Sequence, residues 1–163
     1  MKFSKKADIN KKKIINWQIV VLIILSFVLP ALTFAKDNNI QNRVCINVSI
    51  ANMRADTSVK GDVLWQTEQY HPLMVIQTKG KWKRVKDFAG DTAWVHESLV
   101  KNISCVITVK DQCNIRSEPS IKGQILFVAE KGVPFKVIEK RKNWFKIEHA
   151  DGDEGWIYKK LVW

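Results

Sequence analysis

The chain has 163 residues and carries 27 Lys and Arg against 16 Asp and Glu, for a net charge of +11. Residues 1–35 hold six of the lysines and a single acid, so residues 36–163 keep 21 and 15, for +6. That moderate excess suits anionic surfaces and falls short of a charge that would demand nucleic acid.

The chain opens with "MKFSKKADINKKK", continues with the apolar run "IVVLIILSFVL" (Ile19 to Leu29) and then reads "PALTFAKDNN". A basic start, an apolar core of about 7–15 residues and a small-residue cleavage site read together as a secretory signal. Cleavage is expected after Ala35, with Thr33 at the −3 position. The competing reading is an uncleaved membrane anchor. Ile14 to Phe34, taken as one stretch, has the length of the roughly 17–25 apolar residues that span a bilayer. Asn16, Gln18 and Pro30 interrupt that stretch and favour the signal. In both readings the lysines hold the N-terminal end in the cytoplasm. The rest of the chain is then expected to be exported, to the periplasm or cell envelope. Nucleic acid is scarce there, so anionic envelope polymers and lipid headgroups rank above DNA or RNA as partners. Membrane contact is expected only through an uncleaved N-terminal segment.

After the lead "KDNNIQNR" the sequence repeats itself. "NMRADTSVKGDVL" at 52–64 returns as "NIRSEPSIKGQIL" at 114–126, and residues 52–100 lie on 114–162 without a gap. Sixteen of the 49 pairs are identical, and most others exchange like for like, such as Met53 with Ile115 and Val95 with Ile157. A constant offset through every loop implies shared topology. The leading strands look unequal, since "CINVSIAN" is two residues shorter than "CVITVKDQCN". The units are placed at 44–100 and 105–163, and the short join "KNIS" predicts a semi-fixed tandem.

Within the second unit the apolar bursts "VITV", "CNIR", "QILFVA", "PFKVIE", "WFKIE" and "GWIY" predict strands. They are broken at "EPSIKG", "EKG", "RKN" and "HADGDEG". No part of residues 36–163 sustains helical spacing over three turns, so the expectation is all-β. At under 60 residues per unit, a five- or six-stranded barrel fits, and closing it would hide the sheet edges.

Cys45, Cys105 and Cys113 cannot all pair within one chain. One disulfide plus one free thiol would suit an oxidising compartment. Small buried hydrophobes are the alternative, favoured by strand positions in apolar surroundings. No C-x-x-C and no Cys/His set at zinc spacing is present, and no metal or cofactor is expected.

The pattern Asn-φ-Arg (φ apolar), turn, Gly, apolar pair, then Pro-φ-x-Val-Ile, Trp-x-x-Val and Gly-Trp-φ resembles the bacterial SH3 domain. The segments "WKRVKDFAGDTAWVHESLV" and "WFKIEHADGDEGWIYKKLV" carry the likeness, which covers roughly residues 44–163. The resemblance implies two tandem SH3-like β-barrels. It also implies binding of cell-wall peptides, or protein contacts and spacing. The chain departs from the family's Asn-φ-Arg-x-Gly-Pro-Ser, having "NMRADTS" and "NIRSEPS", and it has Ala93 where the second unit has Gly155. Loss of the glycine implies a different turn there.

Strand alternation assigns faces. Val85 inward puts Trp82 and Arg84 outward, and Phe145 with Ile147 inward puts Trp144 and Lys146 outward. Val95 and Ile157 inward leave Trp94/His96 and Trp156/Tyr158 on the other face. A Trp beside a cation is a candidate ligand platform, and covering the barrel end or packing on the other unit is the competing role. By the resemblance, in which aromatics between the long loops form a peptide groove, Trp94 and Trp156 are further candidates, with core positions the alternative. Arg54 and Arg116 are candidates to fork onto a peptide carboxylate, although pinning a loop carbonyl or a local acid is favoured. Trp163 is expected only to close the last strand.

Little points to catalysis. His71, His96 and His149 do not recur at matched sites, no Gly-x-Ser-x-Gly elbow occurs, and "DFAGD" and "DGDEG" read as solvated turns. The expectation is a non-enzymatic exported binding module for peptidoglycan or an envelope protein. A protein-interaction scaffold without wall affinity is the alternative.

Overall fold

A computed structural model describes residues 42–163. The signal or anchor expected at 1–35 lies outside the described residues. The rest is all-β, as two tandem SH3-like units in which short strands alternate inward and outward side chains. The first unit has β1 (Arg43–Ile46), β2 (Ile50–Arg54), β3 (Val63–Glu68), β4 (Pro72–Lys79), β5 (Trp82–Lys86), β6 (Thr92–His96) and β7 (Val100–Lys101). The second has β8 (Cys105–Ile107), β9 (Cys113–Arg116), β10 (Ile125–Ala129), β11 (Pro134–Arg141), β12 (Trp144–Glu148) and β13 (Glu154–Tyr158). A 3-10 turn follows β6 at Glu97–Leu99 and β13 at Lys159–Leu161.

The strands form two antiparallel sheets, ordered β3-β2-β6-β5-β4-β1-β7 and β10-β9-β13-β12-β11-β8. Neither hydrogen-bonded run closes into a ring, which corrects the expectation of barrels without edges. Among the described residues β3 and β10 are paired on one side only. Each is disturbed by a register shift, at Met53/Arg54 and at Ile125/Phe127, and such irregularity discourages pairing with another chain.

Alternation builds the two cores. Met53, Leu73, Val85 and Val95 are fully buried in the first unit, and Ile115, Phe135, Ile147 and Ile157 occupy the matching places in the second. Where the first core has Met53 beside Ala93, the second has Ile115 beside Gly155. A Cβ on Gly155 would stand 2.5 Å from the Ile115 Cγ2, so the branched side chain requires glycine opposite it. Unbranched Met53 leaves room for an alanine.

Register also corrects the reading of the leading strands. Cys45 pairs with Lys101, and Ile107 exchanges backbone hydrogen bonds with Trp163, so Cys45 corresponds to Ile107. The offset of 62 therefore runs gapless back to Arg43 and Cys105. Tyr70 donates its N–H to the Ile46 carbonyl just as Gly132 donates to Thr108. Both adopt positive φ, which suits the glycine and strains the tyrosine.

The cysteines are thus not repeat partners. Cys45 on β1 and Cys105 at the start of β8 form a disulfide between the units, with Cα atoms 6.2 Å apart. The favoured reading of three isolated thiols holds only for Cys113. That residue is free and buried, and burial raises its thiol pKa. Spacing could not show that two strands from different units meet.

Candidate functional site: the outer faces of the two repeats

On the first sheet β2, β6 and β5 lie side by side, and their outward residues make one surface. Arg54 pairs in register with Trp94, Trp94 with Arg84, and Trp82 with His96. Val85 and Val95 are fully buried, as the alternation predicted, which turns Trp82, Trp94 and His96 outward. The Trp82 and His96 rings meet edge-to-face, with centroids 5.3 Å apart. The second unit has Trp144 and Tyr158 in the same places, their rings tilted at 59° with centroids 5.4 Å apart. Such pairs fix ring orientation while leaving an apolar face to solvent. All four rings are half-buried.

In the first unit the pair borders a groove of about 290 Å³ lined by Asn52, Arg54, Val59, Trp82, His96 and Ser98. The His96 Nδ1 lies 2.8 Å from the Ser98 Oγ, which holds the imidazole against the end of β6. Gln66 donates from Nε2 to the Asn52 Oδ1 at 2.8 Å. The groove thus offers one aromatic wall, a cation and several polar groups.

Arg54 and Arg116 both do what the favoured reading expected. Arg54 donates from Nη1 to the Gly61 carbonyl at 2.6 Å, and Arg116 to the Gly123 carbonyl at 2.7 Å. Both long loops share further bonds, with the Ser58 and Ser120 hydroxyls accepting from the Lys60 and Lys122 amides. No residue of either loop adopts positive φ, so the loops need no glycine at the family's position. The arginines position the loops that bear Val59 and Ile121, and Arg54 also lines the groove.

The repeats differ around the second tryptophan. Trp94 is half-buried, whereas Trp156 is only 6% exposed, with the Arg141 guanidinium 5.3 Å above its ring. Arg141 pairs with Glu139, and Lys146 with Glu154 at 2.7 Å. The matching positions in the first unit are Lys79, Gln77, Arg84 and Thr92, with no acid among them. A ligand reaching Trp156 would have to displace Arg141. The structure therefore brings Arg54 and Trp82 into one groove, leaves Trp94 in the row beside it, and covers Trp156.

Strand alternation places His96 and Tyr158 on the outer face, and no sequence motif marks them as site residues. Cross-strand register makes each the neighbour of a tryptophan, and that register depends on hairpin lengths that alternation alone does not reveal. The acids of "DFAGD" and "DGDEG" do cap their own turns. The Asp87 Oδ1 accepts from the amides of Ala89, Gly90 and Asp91, and the Asp151 Oδ1 from that of Asp153. Among the described residues no three His, Cys, Asp or Glu side chains gather to hold a metal ion.

No curated protein sequence matches the chain. Among solved structures it is similar to NlpC1 from Trichomonas vaginalis, at 11% identity and a TM-score of 0.34, covering 74% of this chain and 45% of that one. It is also similar to an NlpC/P60 family protein from Bacillus cereus ATCC 10987, at 15% identity and a TM-score of 0.34, covering 74% of this chain and 55% of that one. The chain spans about half the length of these structures. The model of the bacterial SH3 domain matches residues 47–102 and again 109–163, so the chain belongs to that family and carries its domain twice.

Proposed function

We propose that the chain is a non-enzymatic exported module that binds peptidoglycan through the matched aromatic pairs of its two domains. The observation that carries this reading is the recurrence of a half-exposed Trp packed against a neighbouring ring, edge-to-face in Trp82–His96 and tilted in Trp144–Tyr158, at equivalent places in both domains. Two weak sites on one semi-rigid chain gain avidity on a repeating polymer. The Cys45–Cys105 disulfide supports an oxidising compartment such as the periplasm or cell envelope. The excess of cations adds attraction to an anionic partner that salt would screen.

Sedimentation of the purified chain with insoluble peptidoglycan, at low and at physiological salt, tests the proposal. Pelleting at physiological salt that is lost in a folded Trp82→Ala/Trp144→Ala variant is the expected result. Pelleting that disappears with salt and ignores the tryptophans would leave charge alone responsible, and the wall reading would fall. A scaffold that binds an envelope protein is the second reading. The unequal faces favour it, since Arg141 covers Trp156 while Trp94 stays half-open.

A further inference from the structure

Each domain has a cleft where its first strand meets its last, and the two clefts have diverged. In the first domain the cleft is about 430 Å³ and is lined by Val75, Thr78, Lys83 and Lys101, with Glu97 at its side. In the second it is about 330 Å³, and Val137, Lys140, Phe145 and Trp163 stand in the corresponding places. Two lysines have become aromatic rings and a threonine has become a lysine. Only the second cleft is walled by both domains, because Arg43 of the first reaches across it beside Asn102 and Ile103 of the join. The disulfide fixes that wall, since Cys105 lines the cleft and Cys45 lies two residues beyond Arg43 on β1.

Trp163 does pair its backbone with Ile107, as a closing strand should, yet its ring also lies 3.9 Å beneath the Arg43 guanidinium. Stacking occupies the flat face of a guanidinium and leaves its N–H edge free to fork onto a planar anion. Lys140, from the opposite wall, donates to the Ser104 Oγ at 3.1 Å. Among the described residues no carboxylate forms an ion pair with either cation. Burial lowers the pKa of Arg43 as well. A partly desolvated cation without an anion is unfavourable, and a bound anion would relieve it.

We propose that this inter-domain cleft binds the C-terminal carboxylate of a short peptide. Arg43 holds the carboxylate through its free edge and Lys140 donates to it from the other side. The rings of Trp163 and Phe145, with Val106 and Val137, receive an apolar last side chain. The apolar walls favour such a peptide over phosphate, which would gain nothing from them. The site is separate from the outer faces and does not depend on the peptidoglycan reading.

The test is an NMR titration of the full chain, disulfide intact, with N-acetyl-alanyl-leucine, its C-terminal amide and inorganic phosphate. The free acid should produce saturable shifts at the Trp163 indole N–H and the Ser104 and Val106 amides, and the amide and phosphate should not. Arg43→Gln and Lys140→Gln should each weaken binding at least tenfold while leaving the core resonances in place. Trp82→Ala/Trp144→Ala should bind the peptide as the parent does, which separates failure here from failure of the wall reading. Equal binding of the amide or phosphate, shifts centred elsewhere, or unaltered affinity in both cleft variants would overturn the proposal.

Discussion

Breaking the Cys45–Cys105 disulfide should weaken the first domain and leave the second nearly untouched. The bridge spans 60 residues, and that closed loop contains β2 to β7, almost the whole first domain. The second domain lies entirely C-terminal to the loop, from Cys105 onward. A loop of this length removes about 4 kcal/mol of chain entropy from the unfolded state, acting only on the enclosed segment. The assay is native-state hydrogen exchange read by peptide, comparing the oxidised chain with reduced protein and with Cys45→Ala/Cys105→Ala. Global-opening protection in β4 and β5 should fall by up to about a thousandfold, the equivalent of that free energy. Protection in β11 and β12 should stay within a few fold. Equal losses in both domains would show that they unfold as one cooperative unit. No loss in the first would show that the bridge does not restrain its unfolded chain. Either result refutes the reasoning.

Gly155→Ala should destabilise the second domain by about 1–3 kcal/mol through overpacking against Ile115, and Ile115→Met in the same chain should recover most of it. Urea unfolding of the two single variants and the double checks this, and an additive double variant would sink it. Among the described residues the buried His71 Nε2 has no partner, and burial, opposed by Asp87 and Glu68, lowers its pKa from the ordinary 6.5. A lowered folded pKa means the unfolded state takes up the proton first. The associated stability is therefore present above about pH 6.5 and lost as pH falls through the depressed folded value. Replacing His71 with Val, the residue matched in the second domain at Val133, should flatten the acid limb of a stability-versus-pH curve.

The strands were legible because each unit alternates apolar and polar residues over short runs bounded by turn residues. "WFKIE" became β12 and "CNIR" became β9, and Ile147 faces inward as alternation predicts. The duplication was legible because one offset survives every loop. The loop-bracing role of Arg54 and Arg116 was favoured from the repeated phrase alone, since a cation beside a turn of free carbonyls finds a partner locally. The candidate tryptophans were less legible. Alternation turned Trp94 and Trp156 outward alike, yet only Trp156 is covered, because Arg141 comes from a strand two places away in the sheet.

By itself the sequence determined an all-β chain of two copies of one domain, because the period and offset of apolar residues are local properties of the chain. Tertiary structure alone decided which edges stay open, which cysteines join, and that Arg43 of one domain stacks on Trp163 of the other. Those contacts link residues up to 120 positions apart. They depend on strand order and on the packing of the two domains, and no local pattern of residue types encodes either.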